Sequence, residues 1–292
     1  MAKAGELWLK DIPAEQLREI YAQSGYEGVK GYLMLPSRQY PPIFLKNFPT
    51  DYTDITDESE RNALFIKILA PLALKLNQEL LSERQIILDI ENRFKQNPDL
   101  SPQDAKILED KAVKYDVFTR LKSTERHAHL LAELLNRIDR IPPSIMITAA
   151  ALETNWGASR IVKQANSLYK MLVWHTDDGL KPVGETGDDS YRIKIYPDIY
   201  ASMQDFALQI NSHKAFAALR NFRRERRERT SNISGLLLAP YTYGYSPLKN
   251  YAGIFDYTLA YYELLEIDKS SLADKMIPPG TAKTYSRYVT KM

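Results

Sequence analysis

The chain has 292 residues, no cysteine and a formal net charge of +2. That length holds one large domain or two ordinary ones, and 44% hydrophobic with 26% charged residues is the balance of a globular protein. The missing cysteine excludes disulfides, thiolate metal sites and cysteine nucleophiles, the small charge gives no global reason to bind nucleic acid, and no apolar run is long enough to span a bilayer.

In chain order, Met1-Ala2-Lys3-Ala4-Gly5-Glu6 lacks the apolar core of a secretory signal. Residues 13–21 suit a short helix. Between 32 and 49, Pro36, Pro41, Pro42 and Pro49 stand among aromatics, which predicts an extended segment lying on a surface. Thr56-Asp57-Glu58-Ser59-Glu60 is a cap-like start with acids in the first turn. It opens a long helix, expected over 59–94 with a kink at Pro71. Two more helices, over 104–121 and 123–140, follow from helical apolar spacing.

Ile141-Pro142-Pro143-Ser144 starts the next helix, with proline tolerated in the first turn. From Ile145 to Leu152 nearly every side chain is apolar, and a helix hydrophobic all round is usually buried. Glu153 therefore stands where core meets surface. Desolvation there raises a carboxyl pKa and keeps the group protonated near neutral pH, the state that a proton donor for glycosidic cleavage needs. The plain alternative is a helix-end glutamate close to solvent.

Turn formers dominate 174–190. Residues 190–196 alternate polar and apolar as a strand does, and with 170–174 as partner they predict a small antiparallel hairpin lobe. Helices resume over 199–211, 213–229 and 251–266. The tail after Ser270, with Pro278-Pro279-Gly280, reads as a loose end. The charge run 220–229 reads as a solvated helix with local ion pairs, because Glu225 and Glu228 interrupt the arginines, in preference to a patch for an anionic polymer. The four histidines have no ligand spacing, His127 and His129 falling on different helix faces. Neither a metal nor any other cofactor is expected.

The string Ala151-Leu152-Glu153-Thr154-Asn155-Trp156-Gly157-Ala158-Ser159, continued by Gln164-Ala165-Asn166-Ser167-Leu168-Tyr169-Lys170-Met171, resembles the signature of bacterial glucosaminidases of glycoside hydrolase family 73. Other segments resemble the Bax branch of that family: Phe65 to Leu72, Asn77-Gln78-Glu79, Tyr196 to Met203, Asn211-Ser212-His213-Lys214-Ala215-Phe216, and Tyr245-Ser246-Pro247-Leu248-Lys249-Asn250-Tyr251. The resemblance runs from about residue 60 to 268. It implies a predominantly helical α+β fold: a lysozyme-like catalytic domain with a β-hairpin lobe and an N-terminal helical extension. The boundaries expected are an N-terminal region over 1–122, a glucosaminidase domain over 123–269 and a tail over 270–292.

The resemblance also implies chemistry. The chain would be a peptidoglycan hydrolase, an endo-β-N-acetylglucosaminidase cutting the β-1,4 bond after N-acetylglucosamine, with Glu153 as general acid. Rivals are a muramidase or lytic transglycosylase on the same fold, and a non-catalytic glycan-binding or scaffolding protein. For a second catalytic group, Glu185 is the nearest match to a hairpin glutamate found in much of the family, with Asp177, Asp178, Asp188 and Asp189 nearby. The Bax branch does not reliably carry that glutamate. Substrate assistance by the 2-acetamido group would need only a polar stabiliser, and Tyr251 in Asn250-Tyr251-Ala252 is the candidate. Trp156, Asn166 and Tyr245 are the candidate substrate-binding residues: Trp156 and Tyr245 as groove aromatics, Trp156 equally a packing plug, and Asn166 also expected to satisfy loop backbone. Lys170 replaces the family's glycine, so the turn there is expected to differ. The expected partners are peptidoglycan strands and an envelope protein bound through the N-terminal region, unless that region packs on the catalytic domain. The expected location is the periplasmic cell envelope, with a signal or anchor outside these residues.

Overall fold

The computed structural model describes residues 5–26, 38–174, 178–182, 191–229, 233–246, 249–274 and 277–291. The fold is predominantly helical α+β, as expected. Its helices are α1 (Ala14–Gln23), α2 (Glu58–Gln96), α3 (Pro102–Lys114), α4 (Ser123–Arg137), α5 (Pro143–Thr154), α6 (Arg160–Ala165), α7 (Ile199–Ser212), α8 (Ala217–Arg229), α9 (Gly235–Leu238), α10 (Tyr251–Tyr261) and α11 (Thr281–Thr284). The strands are β1 (Leu7–Leu9), β2 (Gln39–Tyr40), β3 (Ile43–Leu45), β4 (Leu172–Trp174), β5 (Tyr191–Ile193) and β6 (Ser271–Leu272). The expected hairpin is present: β4 and β5 pair antiparallel, with Leu172 opposite Ile193 and Trp174 opposite Tyr191.

The chain divides into two compact units that do not follow linear order. One holds residues 1–75, 142–206 and 246–292, the other 76–141 and 207–245. In the first unit, both chain ends are woven into the sheet structure. β1 pairs parallel with β3, β2 pairs parallel with β6, and Leu9 bridges Val289. The segment around Pro41 and Pro42 is extended as expected, yet it does not lie on a surface. Tyr40, Ile43, Phe44 and Leu45 are buried, and the Trp8 ring packs 4.8 Å from Phe44 and 5.6 Å from Tyr200.

The tail is not loose either. Ala273 N donates to Tyr40 O and Thr290 N to Trp8 O, while Tyr285 and Tyr288 are buried. Its aromatics gain hydrophobic burial that its proline and glycine content does not reveal. α2 continues through Pro71. Proline has no N–H, so the carbonyl four residues back loses its helical donor. The Tyr26 hydroxyl, 3.3 Å from Lys67 O, supplies a replacement.

The second unit has an apolar core of Ile87, Ile90, Leu108, Tyr115, Leu130, Leu134 and neighbours from α2, α3 and α4. α3 ends at Lys114, short of the expected 121, because Asp116 turns left-handed at φ 58°. The arginine run on α8 differs from the expected solvated helix. Arg220 and Arg223 are buried, and Arg223 donates to the carbonyls of Asn136, Arg137 and Arg140. Arg84 donates to Leu135 O and Ile138 O. These cations satisfy the orphan carbonyls at the end of α4, where a helix favours positive charge. Buried Asp139 balances them through a two-pronged pair with Arg227 and a 3.9 Å approach to Arg223. The loop between α4 and α5 is stapled as well: Asn77 exchanges two hydrogen bonds with Ile141 backbone, and Asn211 donates to Asp139 O.

Burial works against the Asp139 carboxylate, but Arg223, Arg227 and Arg84 outweigh it and hold its pKa below the usual 3.8. The folded state therefore binds this proton less readily than the unfolded chain, and the stability it confers is lost as pH falls below 3.8 through the depressed value. Asp139→Asn leaves buried cations uncompensated, so it should destabilise the protein by about 3–5 kcal/mol at neutral pH. It should also flatten the acid limb of stability, both read from urea melts across pH.

Candidate active site

α5 is buried on every side from Pro143 to Ala151. Its start is held by a residue far along the chain: the Asp268 carboxylate accepts from Ser144 N at 2.9 Å and from Ser144 Oγ at 2.8 Å. An anion at a helix N-terminus meets both the free N–H groups and the helix dipole. α10 and the 3-10 segment Leu264–Lys269 pack against the helix.

The end of α5 is a left-handed turn. Asn155, Trp156 and Gly157 have φ of 49°, 55° and 79°. Trp156 N donates to Ala151 O, and Gly157 N to Thr154 Oγ1 at 3.0 Å. The Tyr52 hydroxyl donates to Trp156 O at 2.8 Å. A Cβ at position 157 would stand 3.1 Å from ring atoms of Phe48, Phe65 and Tyr52, so glycine answers both the backbone angle and the space. The Trp156 ring packs 4.4 Å from Tyr262 and 5.6 Å from Phe65, leaving it half-buried.

Glu153 lies in the last turn of α5, half-buried, with Oε1 buried and lacking a hydrogen-bond partner. Burial pushes its pKa above the usual 4.5, against the pull of the Ser246 hydroxyl and the Lys170 ammonium. An unsatisfied buried carboxylate oxygen favours the neutral acid, which sheds no buried charge. Tyr251, the first residue of α10, is buried, and its hydroxyl pKa is raised by burial and by the charge of Glu153. The fold thus brings Glu153 and Tyr251 together, with burial raising the pKa of both groups.

The other expected site residues fall differently. Asn166, at φ 48°, ends α6 and donates through Nδ2 to Tyr196 O at 3.1 Å. It also lines a pocket of about 230 Å³ with Phe48, Tyr52, Gly157 and Lys163, whose walls do not include Glu153. The side chain of Tyr245 and the whole of Glu185, Asp177, Asp188 and Asp189 lie outside the described residues. Asp178 is exposed. Lys170 has a left-handed backbone at φ 50° although it is not glycine, a conformation that costs about 1–3 kcal/mol. Sequence reasoning missed Ser246, adjacent to the resembling Tyr245, and Asp268, whose capping role has no local signal.

With this geometry in view, the comparisons are decisive at one level. The profile of the glucosaminidase family, described as mannosyl-glycoprotein endo-beta-N-acetylglucosaminidase, matches residues 128–292. The chain belongs to the glucosaminidase family. The match takes in Glu153, Asn166 and Tyr251, and residues 1–127 lie outside it. The glucosaminidase chain is also similar to protein bax of Escherichia coli (strain K12), 24% identical over 189 residues, which is 64% of this chain and 64% of that protein. The alignment thus spans less than two thirds of bax. No solved structure gives a match. Family membership supports a glycan-cleaving hydrolase activity. Among the described residues, no helix of this glucosaminidase is long and apolar enough to cross a membrane.

Gly157→Ala tests the turn that carries the acid. The left-handed backbone and three crowding rings should together cost about 2–5 kcal/mol in urea unfolding. A variant as stable as the wild type would mean that the aromatic wall behind the turn yields.

Proposed function

We propose that this glucosaminidase is a peptidoglycan endo-β-N-acetylglucosaminidase of glycoside hydrolase family 73, in its Bax branch, acting in the periplasmic cell envelope. The reading is carried by one observation: a carboxyl group raised in pKa by burial, at the end of a buried, largely apolar helix, beside a buried tyrosine hydroxyl. The signature resemblance around Glu153 and the bacterial source of the similar protein bax support the substrate class.

In this mechanism Glu153 gives its proton to the glycosidic oxygen as the bond to the anomeric carbon breaks. The carbonyl oxygen of the substrate's own 2-acetamido group attacks that carbon and forms a cyclic oxazolinium ion. The Glu153 carboxylate then takes a proton from water, whose oxygen opens the ring and restores the acetamido group. Tyr251 orients the acetamido group or the water through its hydroxyl. The resemblance to the Bax branch, which does not reliably carry the hairpin glutamate, favours substrate assistance over a two-carboxylate mechanism.

Digestion of purified sacculi followed by mass spectrometry tests the bond. The expected products end in reducing N-acetylglucosamine; reducing N-acetylmuramic acid or its anhydro form would instead mark a muramidase or a lytic transglycosylase. Glu153→Gln should fold and lose at least about a hundredfold in rate. Tight sacculus binding with no products from the wild type would favour a scaffolding role.

A second comparison bears on assistance. Tyr251→Phe should lower turnover strongly while Glu185→Gln is mild, with folding checked by thermal melts. A dead Glu185→Gln beside an active Tyr251→Phe would place a second carboxylate in the mechanism.

A further inference from the structure

α10 has a face that its own packing does not use. Phe255, Thr258 and Leu259 are buried, whereas Tyr257 and Tyr261 are 63% and 50% exposed. Four residues apart, these two tyrosines share one side of the helix. Their rings lie nearly parallel, 5.4 Å between centroids and 20° between planes. A tyrosine pair at this spacing ordinarily faces a core, and two large rings left side by side in water mark a contact surface.

The pair is the outer end of a longer strip. Tyr261 meets Tyr262 edge-on at 4.9 Å, and Tyr262 meets Trp156 at 4.4 Å. Rings therefore run without a break from the turn that follows Glu153 to the open side of α10. The inner end is fixed: Asn62 Nδ2 donates to the Tyr262 hydroxyl at 2.7 Å, and Phe65 meets Trp156 edge-on at 5.6 Å. Exposure rises outward, from half-buried Trp156 and Tyr262 to the exposed pair. α10 itself starts at Tyr251, beside Glu153. At about 1.5 Å per residue, Tyr257 and Tyr261 stand about 9 and 15 Å along the helix from that start. The strip is thus continuous with the candidate active site and extends well past the bond that Glu153 would cleave.

A pyranose ring carries C–H groups on its faces and hydroxyls on its rim. An aromatic ring takes such a face by apolar burial and dispersion, and a tyrosine hydroxyl can hydrogen-bond at the rim. A protein partner asks for a wider apolar patch, and Ile254 is the one exposed large aliphatic side chain on α10.

We propose that Tyr257 and Tyr261 form a stacking platform for sugar rings, a binding site outside the catalytic pair that holds the glycan strand beyond the bond that is cut. The platform recognises the uncharged faces of the sugars, so it responds to the length of the strand and not to its acid groups. This deepens the proposed function and rests on it in taking the ligand to be a glycan strand that extends from Glu153.

Chain length is the test, read by calorimetry in a Glu153→Gln background that prevents turnover. The probes are chitotriose and chitohexaose. Tyr257→Ala combined with Tyr261→Ala should weaken chitohexaose binding about tenfold, the scale of losing two aromatic contacts. Chitotriose binding should not change. Tyr257→Phe with Tyr261→Phe should keep most of the affinity, because the ring faces remain. Both positions are exposed, so thermal melts should show native stability for each variant. Chitohexaose binding untouched by the alanine pair, an equal loss for both sugars, or binding of neither sugar before the tyrosines are changed overturns the proposal. So does a dimer in sedimentation that the alanine pair dissolves, which would make the strip a self-association face. The hydrolase reading fails separately: a protein with Glu153 intact whose chitohexaose binding depends on these tyrosines, but which cuts neither chitohexaose nor sacculi, would contradict that reading and leave the platform standing.

Discussion

Glu153 stands where a helix without a polar face reaches the edge of its core. α5 cannot turn any side to water, so neighbours surround it, and its last turn inherits their low dielectric. A carboxyl group placed there keeps its proton more readily than one in water. The acid therefore needs no special partner to be poised. Desolvation prevails over the pull of the Ser246 hydroxyl and the Lys170 ammonium, and the unpaired Oε1 is its structural trace.

Such a placement opposes stability, and much of the surrounding structure offsets it. Asp268 caps the start of α5, and Tyr52, Phe48 and Phe65 brace the left-handed turn at its end. The last three come from residues before 128, outside the family match, so the N-terminal region is part of the scaffold that fixes the acid. Non-glycine residues with positive φ occur along the described chain, and Asn155 and Trp156 are the two that form this turn. Consistency between local preference and fold is lost where function asks for geometry that the chain does not prefer.

What could be read in the sequence was local. The nearly all-apolar run before Glu153 and the alternation over 190–196 are each signals carried within a few residues, and both elements formed. What could not be read was distant. β2 and β6 are short strands from opposite ends of the chain, each too brief for a periodic signal. Arg223 looks solvated until Asp139 and the end of α4 are brought to it by folding. Around the site, Glu153 and Tyr251 were recognisable by resemblance and are neighbours in space, whereas the cap from Asp268 could be seen only in three dimensions. Lys170 reads as a departure from the family signature, and the left-handed backbone it adopts has no local signal in the sequence.

The central claim is that burial holds Glu153 as an acid, and direct titration tests it. The carboxyl carbon resonance of Glu153, assigned by its loss in Glu153→Gln, should titrate above the ordinary 4.5. Because the folded state then binds this proton more readily than the unfolded chain, stability should fall as pH rises from 4.5 through the raised value, and Glu153→Gln should remove that loss. A resonance titrating at or below 4.5, with stability indifferent to the substitution, would contradict the account.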